Sequence, residues 1–192
     1  PQLVQWRRTI LPAPAHVPVS YTPLTLPTTP QLPGERDIHM PEITQPAPDF
    51  TLPATGGSDV TLSALQGSPV VLFFYPRDDT PGCTKESIGF SESLAAFDAA
   101  GAKVFGISRD SMAKHDKFTA KHDLTVPLLS DEDGSVTEAY GVWVEKNMYG
   151  KKSMGIERAT YIIAADGSIA QIWRKVKVAG HVEVVLEAVN AL

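Results

Sequence analysis

Sulfur is scarce in this chain: 192 residues carry one cysteine, Cys83, and four methionines. A lone cysteine excludes an intrachain disulfide and any thiolate-built zinc cluster. A reduced protein is therefore expected, with the cytoplasm as its compartment. Blocks of like charge are also missing. Lys and Arg number 17 against 22 Asp and Glu, for a formal net charge of −5, so nothing recommends nucleic acid or an anionic membrane as a partner. Apolar runs stop at strand length, as in Val70 to Tyr75, too short to cross a bilayer. No internal repeat is present.

Acidic residues are absent from Pro1 to Pro33, and eight of the 16 prolines fall in that stretch. Such a composition builds no core and favours extended, solvated chain. Residues 1–39 are therefore expected to form a disordered tail and residues 40–192 a single domain. "WRRTILPAPAHVPVSYTPLTLPTTP" has the Arg, Ser and Thr without acids of an organelle transit peptide, although its prolines oppose an amphipathic helix. "DIHM" resembles a cloning seam or read-through ahead of a start at Met40, the reading preferred here. A body of about 150 residues buries roughly 70% of its unfolded surface, enough for a core without staples.

After Met40 the pattern is ordered. "FTL" and "VTL" around Gly56-Gly57 suggest a hairpin, and "PVVLFFYP" a strand buried on both faces. In "TPGCTKESIGFSESLAAFDAAG", Cys83, Ser87, Phe90, Leu94 and Phe97 form one helical stripe that Gly101 stops. "AKVFGIS" and "VPLLS" read as buried strands. Between them lies the polar helix "DSMAKHDKFTAKHDL", capped by Asp110 or Ser111. "ATYIIAADGSIAQIWR" reads as two strands around an Asp-Gly turn, and "GHVEVVLEAVNAL" as a closing helix. Alternating strands and helices that end in a hairpin and a helix indicate an α/β sandwich.

The local sequence gives Cys83 an unusual setting. Thr80 is a good N-cap, Pro81 suits the first helical position, and Gly82 carries no bulk. Cys83 therefore lands in the first turn among unpaired backbone N–H groups. The positive helix end favours thiolate, the nucleophilic form; such positions can lower a cysteine from about 8.5 to between roughly 3.5 and 7.5. The preceding strand delivers that turn to the carboxyl end of the sheet, where α/β proteins bind small molecules. A lone cysteine is otherwise a small buried hydrophobe.

"PRDDTPGC" places Pro76, Thr80 and Cys83 in the spacing PxxxTxxC. With "APDFTLP", "FFYPRDDTPGCTKE", "GISRDS", "LLSDEDGSVTEAYGVW" and "GIERATYIIAADG" in order, the chain after Met40 resembles the peroxiredoxins, and within them the bacterioferritin comigratory protein or peroxiredoxin Q subfamily. The resemblance implies a thioredoxin-like fold with a central mixed sheet flanked by helices, the N-terminal hairpin preceding it. It also implies thiol-dependent reduction of hydrogen peroxide and alkyl hydroperoxides, without cofactor or metal. Pro76, Thr80, Cys83 and Arg158 match the family's active-site positions. Cys83 would attack the peroxide as thiolate and become sulfenic acid, and Arg158 would hold the sulfur and the stretching O–O bond. Thr80 would orient the peroxide, cap the helix, or do both. Pro76 would shield the thiolate or merely end the strand. Glu86 would pair with Arg158 and aim it, or stand as a solvated helix glutamate.

Most of the subfamily use a resolving cysteine, either five positions on, here Ile88, or on the next helix near Thr119. Neither is cysteine here. Turnover is therefore expected to be of the one-cysteine type, with an external thiol such as thioredoxin, glutathione or glutaredoxin reducing Cys83. A monomer is expected. A thioredoxin-type disulfide reductase is excluded because CxxC is missing. The alternative is a redox sensor or holdase-like binding protein that forms mixed disulfides through Cys83. Other signals are discounted: His115 and His122 are expected to be solvated, "SDEDGS" a turn and helix cap, "GKKSMG" a mobile basic loop, and Tyr140, Trp143 and Trp173 core or rim residues.

Overall fold

The computed structural model describes residues 40–148 and 150–192. The expected tail, residues 1–39, lies outside the described residues. Gly56 and Gly57, at φ +96° and +89°, turn the expected hairpin between β1 (Thr51–Pro53) and β2 (Asp59–Thr61). A short 3₁₀ turn, Leu62–Leu65, leads into β3 (Val70–Phe74), whose five side chains are all buried. Successive side chains leave a strand on opposite faces, so β3 feeds two cores. Val70, Leu72 and Phe74 join one apolar cluster, and Val71 and Phe73, with Tyr75 just beyond, join the other.

α1 (Pro81–Ala99) ends at Gly101, which takes φ +77°. β4 (Lys103–Ser108) runs parallel to β3, and after α2 (Met112–His122), β5 (Leu128–Ser130) pairs parallel with β4. α3 (Ser135–Ala139) precedes a second hairpin, β6 (Trp143–Met148) and β7 (Lys151–Ile156). β8 (Ala159–Ile163) and β9 (Ile169–Arg174) complete the sheet, and α4 (His181–Asn190) follows. The strand order is β5-β4-β3-β8-β9, with β8 antiparallel to both neighbours. It is a central mixed sheet flanked by helices, a thioredoxin-like arrangement. Phe90 and Phe97 of α1, Phe118 of α2 and Val182 and Val185 of α4 pack on the Val71/Phe73 side. Leu52, Leu62, Val136 and Tyr140 pack on the other.

Register fixes where the chemistry can sit. Phe74, the last residue of β3, lies opposite Ala159, the first of β8. The turn that leaves β3 and the residue that enters β8 thus meet at one end of the central strands, although 75 positions separate Cys83 from Arg158.

Three expectations need correction. "GKKSMG" is strand β7, not a mobile loop. Its hairpin partner "WVEKNM" mixes apolar and charged residues without alternation, so the period-two signal was faint. His115 is fully buried rather than solvated. Its Nδ1 lies 2.8 Å from Asp78 Oδ2 and its Nε2 3.2 Å from the Leu129 carbonyl, so burial is compensated by bonding. His122 is engaged too, 2.8 Å from Asp79 Oδ1. By contrast, "SDEDGS" is a helix cap as expected: buried Asp131 accepts from the backbone N–H of Val136 and Thr137 at the start of α3. Tyr140 is core, while Trp143, stacked under Arg109, and Trp173 are half-buried.

Gly106 on β4 tests the packing of the sheet against α1. A Cβ there would lie 2.6 Å from Phe73 Cζ and 2.8 Å from Leu128 Cδ2. Gly106→Ala should cost about 1–3 kcal/mol by overpacking, read as a lower urea midpoint at unchanged slope. An unchanged midpoint would contradict this packing.

Candidate active site

The site grows from the turn after β3. Tyr75 N–H still bonds the Ile107 carbonyl at 3.1 Å, extending the parallel ladder one residue past β3. The chain then turns through residues 76–80, with Asp79 in the left-handed region at φ +55°. Side chains pin that turn from several sides. Tyr75 Oη donates to Asp78 Oδ1 at 2.8 Å, Asp78 N–H donates to Asp110 Oδ2 at 2.8 Å, and Lys121 Nζ donates to Asp79 Oδ2 at 2.5 Å.

Thr80 is the N-cap residue of α1 by backbone conformation, but its hydroxyl caps nothing. It donates instead to the Arg77 carbonyl at 3.2 Å, within the turn. Pro81 fills the first helical position, where a missing N–H costs no bond. Cys83 follows in the first turn, 1% exposed. The helix thus begins without a side-chain cap, and its N-terminal amides have no side-chain acceptor in the first turn.

Arg158 enters from the start of β8. Its Nη2 donates to Cys83 Sγ at 3.2 Å and its Nη1 donates to Glu86 Oε2. Glu86, one turn past Cys83, is completely buried, and its Oε1 has no hydrogen-bond partner among the described residues. Gly82 makes the approach possible: a Cβ there would lie 3.2 Å from Arg158 Nη2, so a larger residue would press on the guanidinium.

The electrostatics follow from burial and pairing. Burial pushes the Glu86 carboxyl up to about 7, against the pull of Arg158. Burial works against the Arg158 charge, but Glu86 and Cys83 outweigh it and hold the guanidinium above its ordinary range. Together the two shifts describe a pair that is carboxylate and guanidinium above about 7. Acidification protonates the carboxyl, not the sulfur's partner.

The structure therefore brings Cys83, Arg158 and Glu86 into direct contact. Thr80 stands three residues before the sulfur with its hydroxyl turned to Arg77. Pro76, with an exposed side chain, opens the turn directly after Tyr75. Lys146 escaped the sequence reading altogether. From β6 its ammonium donates to the Ile156 carbonyl, two residues before Arg158. Burial and then Arg158 lower its proton affinity, while Cys83 and Glu157 partly restore it, so it belongs to the same charged neighbourhood. Only the hairpin, itself missed, reveals it. His181 lies at the border of this field. Its Nε2 is 2.8 Å from Thr160 Oγ1, and burial and Arg158 hold its proton affinity down.

A thioredoxin-like sheet that presents a cysteine in the first turn of a helix, held against an arginine from an antiparallel neighbour, defines the peroxiredoxin class. Residues 43–172 match the AhpC/TSA family. The chain belongs to that family, in its bacterioferritin comigratory protein and peroxiredoxin Q branch. It is 50% identical over 148 residues to Peroxiredoxin Bcp of Xanthomonas campestris pv. campestris, covering 76% of this chain and 92% of that protein. It is 45% identical over 149 residues to Peroxiredoxin Bcp of Bacillus subtilis, covering 78% and 95%. A solved structure of the Xanthomonas campestris bacterioferritin comigratory protein, described for its alkyl peroxide reduction activity, superposes with a TM-score of 0.71 at 48% identity, over 74% of this chain and 90% of that one. A cysteine-to-serine mutant of Xylella fastidiosa PrxQ superposes with a TM-score of 0.75 at 40% identity, over 80% and 97%.

Glu86 carries a prediction with a definite sign. Its carboxyl ionises near 4.3 in an unfolded chain and at about 7 when folded, so between those values the folded state binds more protons. Stability contributed by this group is complete below the lower value and is lost as pH rises through the higher one. Between pH 5 and 7.5 the melting temperature of Glu86→Gln should therefore gain on wild type by more than about 3 °C, measured by paired thermal melts. A constant difference across that window would contradict the assignment.

Proposed function

We propose that this chain is a thiol-dependent peroxidase of the one-cysteine type, reducing hydrogen peroxide and alkyl hydroperoxides through Cys83. The observation that carries the reading is the Arg158 guanidinium hydrogen-bonded to the Cys83 sulfur in the first turn of α1. Its likeness to Peroxiredoxin Bcp and to the Xanthomonas campestris protein described for alkyl peroxide reduction supports the substrate class.

In the first half-reaction the Cys83 thiolate attacks the terminal peroxide oxygen. An S–O bond forms, the O–O bond breaks, and alkoxide or hydroxide leaves and takes a proton from solvent, giving sulfenic acid and an alcohol or water. Charge moves from sulfur onto the leaving oxygen. Arg158 keeps two roles: it holds the sulfur before attack, and its remaining donors meet the oxygens as charge spreads over them. Glu86 fixes its direction as a positioning residue. Thr80, at the helix start, is the hydroxyl placed to orient the bound peroxide once its bond to Arg77 is exchanged. Pro76, lacking a backbone N–H, closes the turn without offering a competing donor.

In the second half-reaction a thiol must come from outside, because the chain holds no other sulfhydryl. The thiol's sulfur attacks the sulfenic sulfur, water leaves, and a second thiol releases Cys83 as thiolate with formation of a disulfide. Thioredoxin, glutathione and glutaredoxin all supply this chemistry, and a reducing compartment such as the cytoplasm sustains it; residues 1–39 would redirect the protein only if they acted as a transit peptide. The catalytic body is read as residues 40–192, which contain every position matched to the family, and the likeness to the subfamily supports a monomer.

Stopped-flow Trp fluorescence tests the first step. Cys83→Ser should abolish the peroxide-dependent phase, and Arg158→Ala should slow it by about 10²–10³. Unchanged kinetics in the arginine variant would remove its role. With excess dithiothreitol, peroxide should disappear through many turnovers. Consumption of one equivalent followed by a stable protein adduct would instead establish the redox sensor.

Overoxidation gives a separate check. No neighbouring thiol captures the sulfenic acid, so excess peroxide without reductant should convert Cys83 to sulfinic acid, visible as +32 Da on the intact mass (two added oxygens by the same chemistry). Full recovery without added thiol would contradict the one-cysteine scheme.

A further inference from the structure

The reductant must reach a sulfur that is 1% exposed and held by Arg158 on the β8 side. A hollow of about 220 Å³ is bounded by the turn from Arg77 to Asp79, which leads into the helix of Cys83, and by one face of α2. Lys114, Lys117, Phe118 and Lys121 supply that face at helical spacing i, i+3, i+4 and i+7. Phe118 and Cys83 both belong to the apolar cluster on this face of the sheet.

The carboxylates around this hollow are already engaged. Asp78 accepts from Tyr75 Oη at 2.8 Å and lies 2.8 Å from His115 Nδ1. Asp79 accepts from Lys121 Nζ at 2.5 Å and meets His122 Nε2 at 2.8 Å. Asp110 accepts from Lys114 Nζ at 3.0 Å, Asp78 N–H at 2.8 Å and Ser108 Oγ at 3.2 Å. Two cations, Arg77 and Lys117, form no ion pair among the described residues, and both are exposed. On a chain with net charge −5, the turn leading to the reactive cysteine is bordered by unneutralised positive charge.

We propose that this hollow docks the reducing thiol, and that it selects a small thiol bearing carboxylates, which Arg77 and Lys117 receive. The inference rests on the peroxidase reading and names the reductant class for its second half-reaction. Carboxylates seated on the two cations would hold an attached thiol beside the turn that leads into the helix of Cys83. The cations act on encounter and orientation; the exchange itself is ordinary attack of thiolate on the Cys83-bound sulfur or oxygenated sulfur.

The test separates docking from peroxide chemistry. Cys83 is first converted to its methyl disulfide with methyl methanethiosulfonate, an uncharged reagent. Loss of the methylthio group is then followed by intact mass with glutathione, which is anionic, and with 2-mercaptoethanol, which is neutral. In the double charge reversal Arg77→Glu with Lys117→Glu, the ratio of the glutathione rate to the 2-mercaptoethanol rate should fall about tenfold, and added salt should lower the same ratio in wild type. Equal slowing with both thiols means a structural effect and overturns the proposal. An unchanged ratio overturns it as well, because the two cations would then play no part in selecting the thiol. No peroxide enters this measurement, so its failure is distinct from failure of the peroxidase reading.

Discussion

One guanidinium holds this site together. Arg158 bonds Cys83 Sγ with one terminal nitrogen and Glu86 with the other, and Glu86 is buried with its second oxygen unpartnered among the described residues. A buried carboxylate with a single cationic partner is a poor arrangement for stability, because desolvation opposes it at every step. It becomes intelligible as a way to fix direction. An arginine tethered at one end of its fork presents the other end at a set position, and that position is the sulfur.

The sheet makes the contact possible. β8 runs antiparallel to β3, so its first residue stands beside the last residue of β3, and the arginine just before β8 faces the helix just after β3. Gly82 leaves the space that the guanidinium occupies. The turn between strand and helix is held by bonds from three other segments: Tyr75 at the end of β3, Asp110 after β4, and His115, Lys121 and His122 on α2. The first turn of α1 lacks a side-chain cap of its own, and these bonds to the preceding turn take over the task of holding it in place.

Much of this was legible in the chain. The two-sided burial of β3 follows from an unbroken apolar run, the helix start from Thr-Pro-Gly, and the approach of Arg158 to Cys83 from motifs that match a family in order. What stayed hidden depended on tertiary partners. Glu86 carries the same local signal as a solvated helix glutamate, and only the arrival of Arg158 from 72 residues away distinguishes it. His115 sits in a polar helix and is buried because Asp78 and the Leu129 carbonyl receive it. Of the two roles the sequence offers Thr80, the side-chain cap is not made, because its hydroxyl donates to the Arg77 carbonyl instead. Lys146 is hidden in the sequence because the hairpin that carries it has no clear alternation.

The central claim is that Glu86 acts on the reaction only through Arg158. A double-mutant cycle on the second-order rate of Cys83 oxidation by hydrogen peroxide tests it most directly, comparing wild type, Glu86→Gln, Arg158→Met and the double variant at pH 8. The account predicts that Glu86→Gln slows oxidation when Arg158 is present and has no further effect once Arg158 is gone. Independent, additive losses would contradict it and would leave Glu86 without a part in aiming the guanidinium.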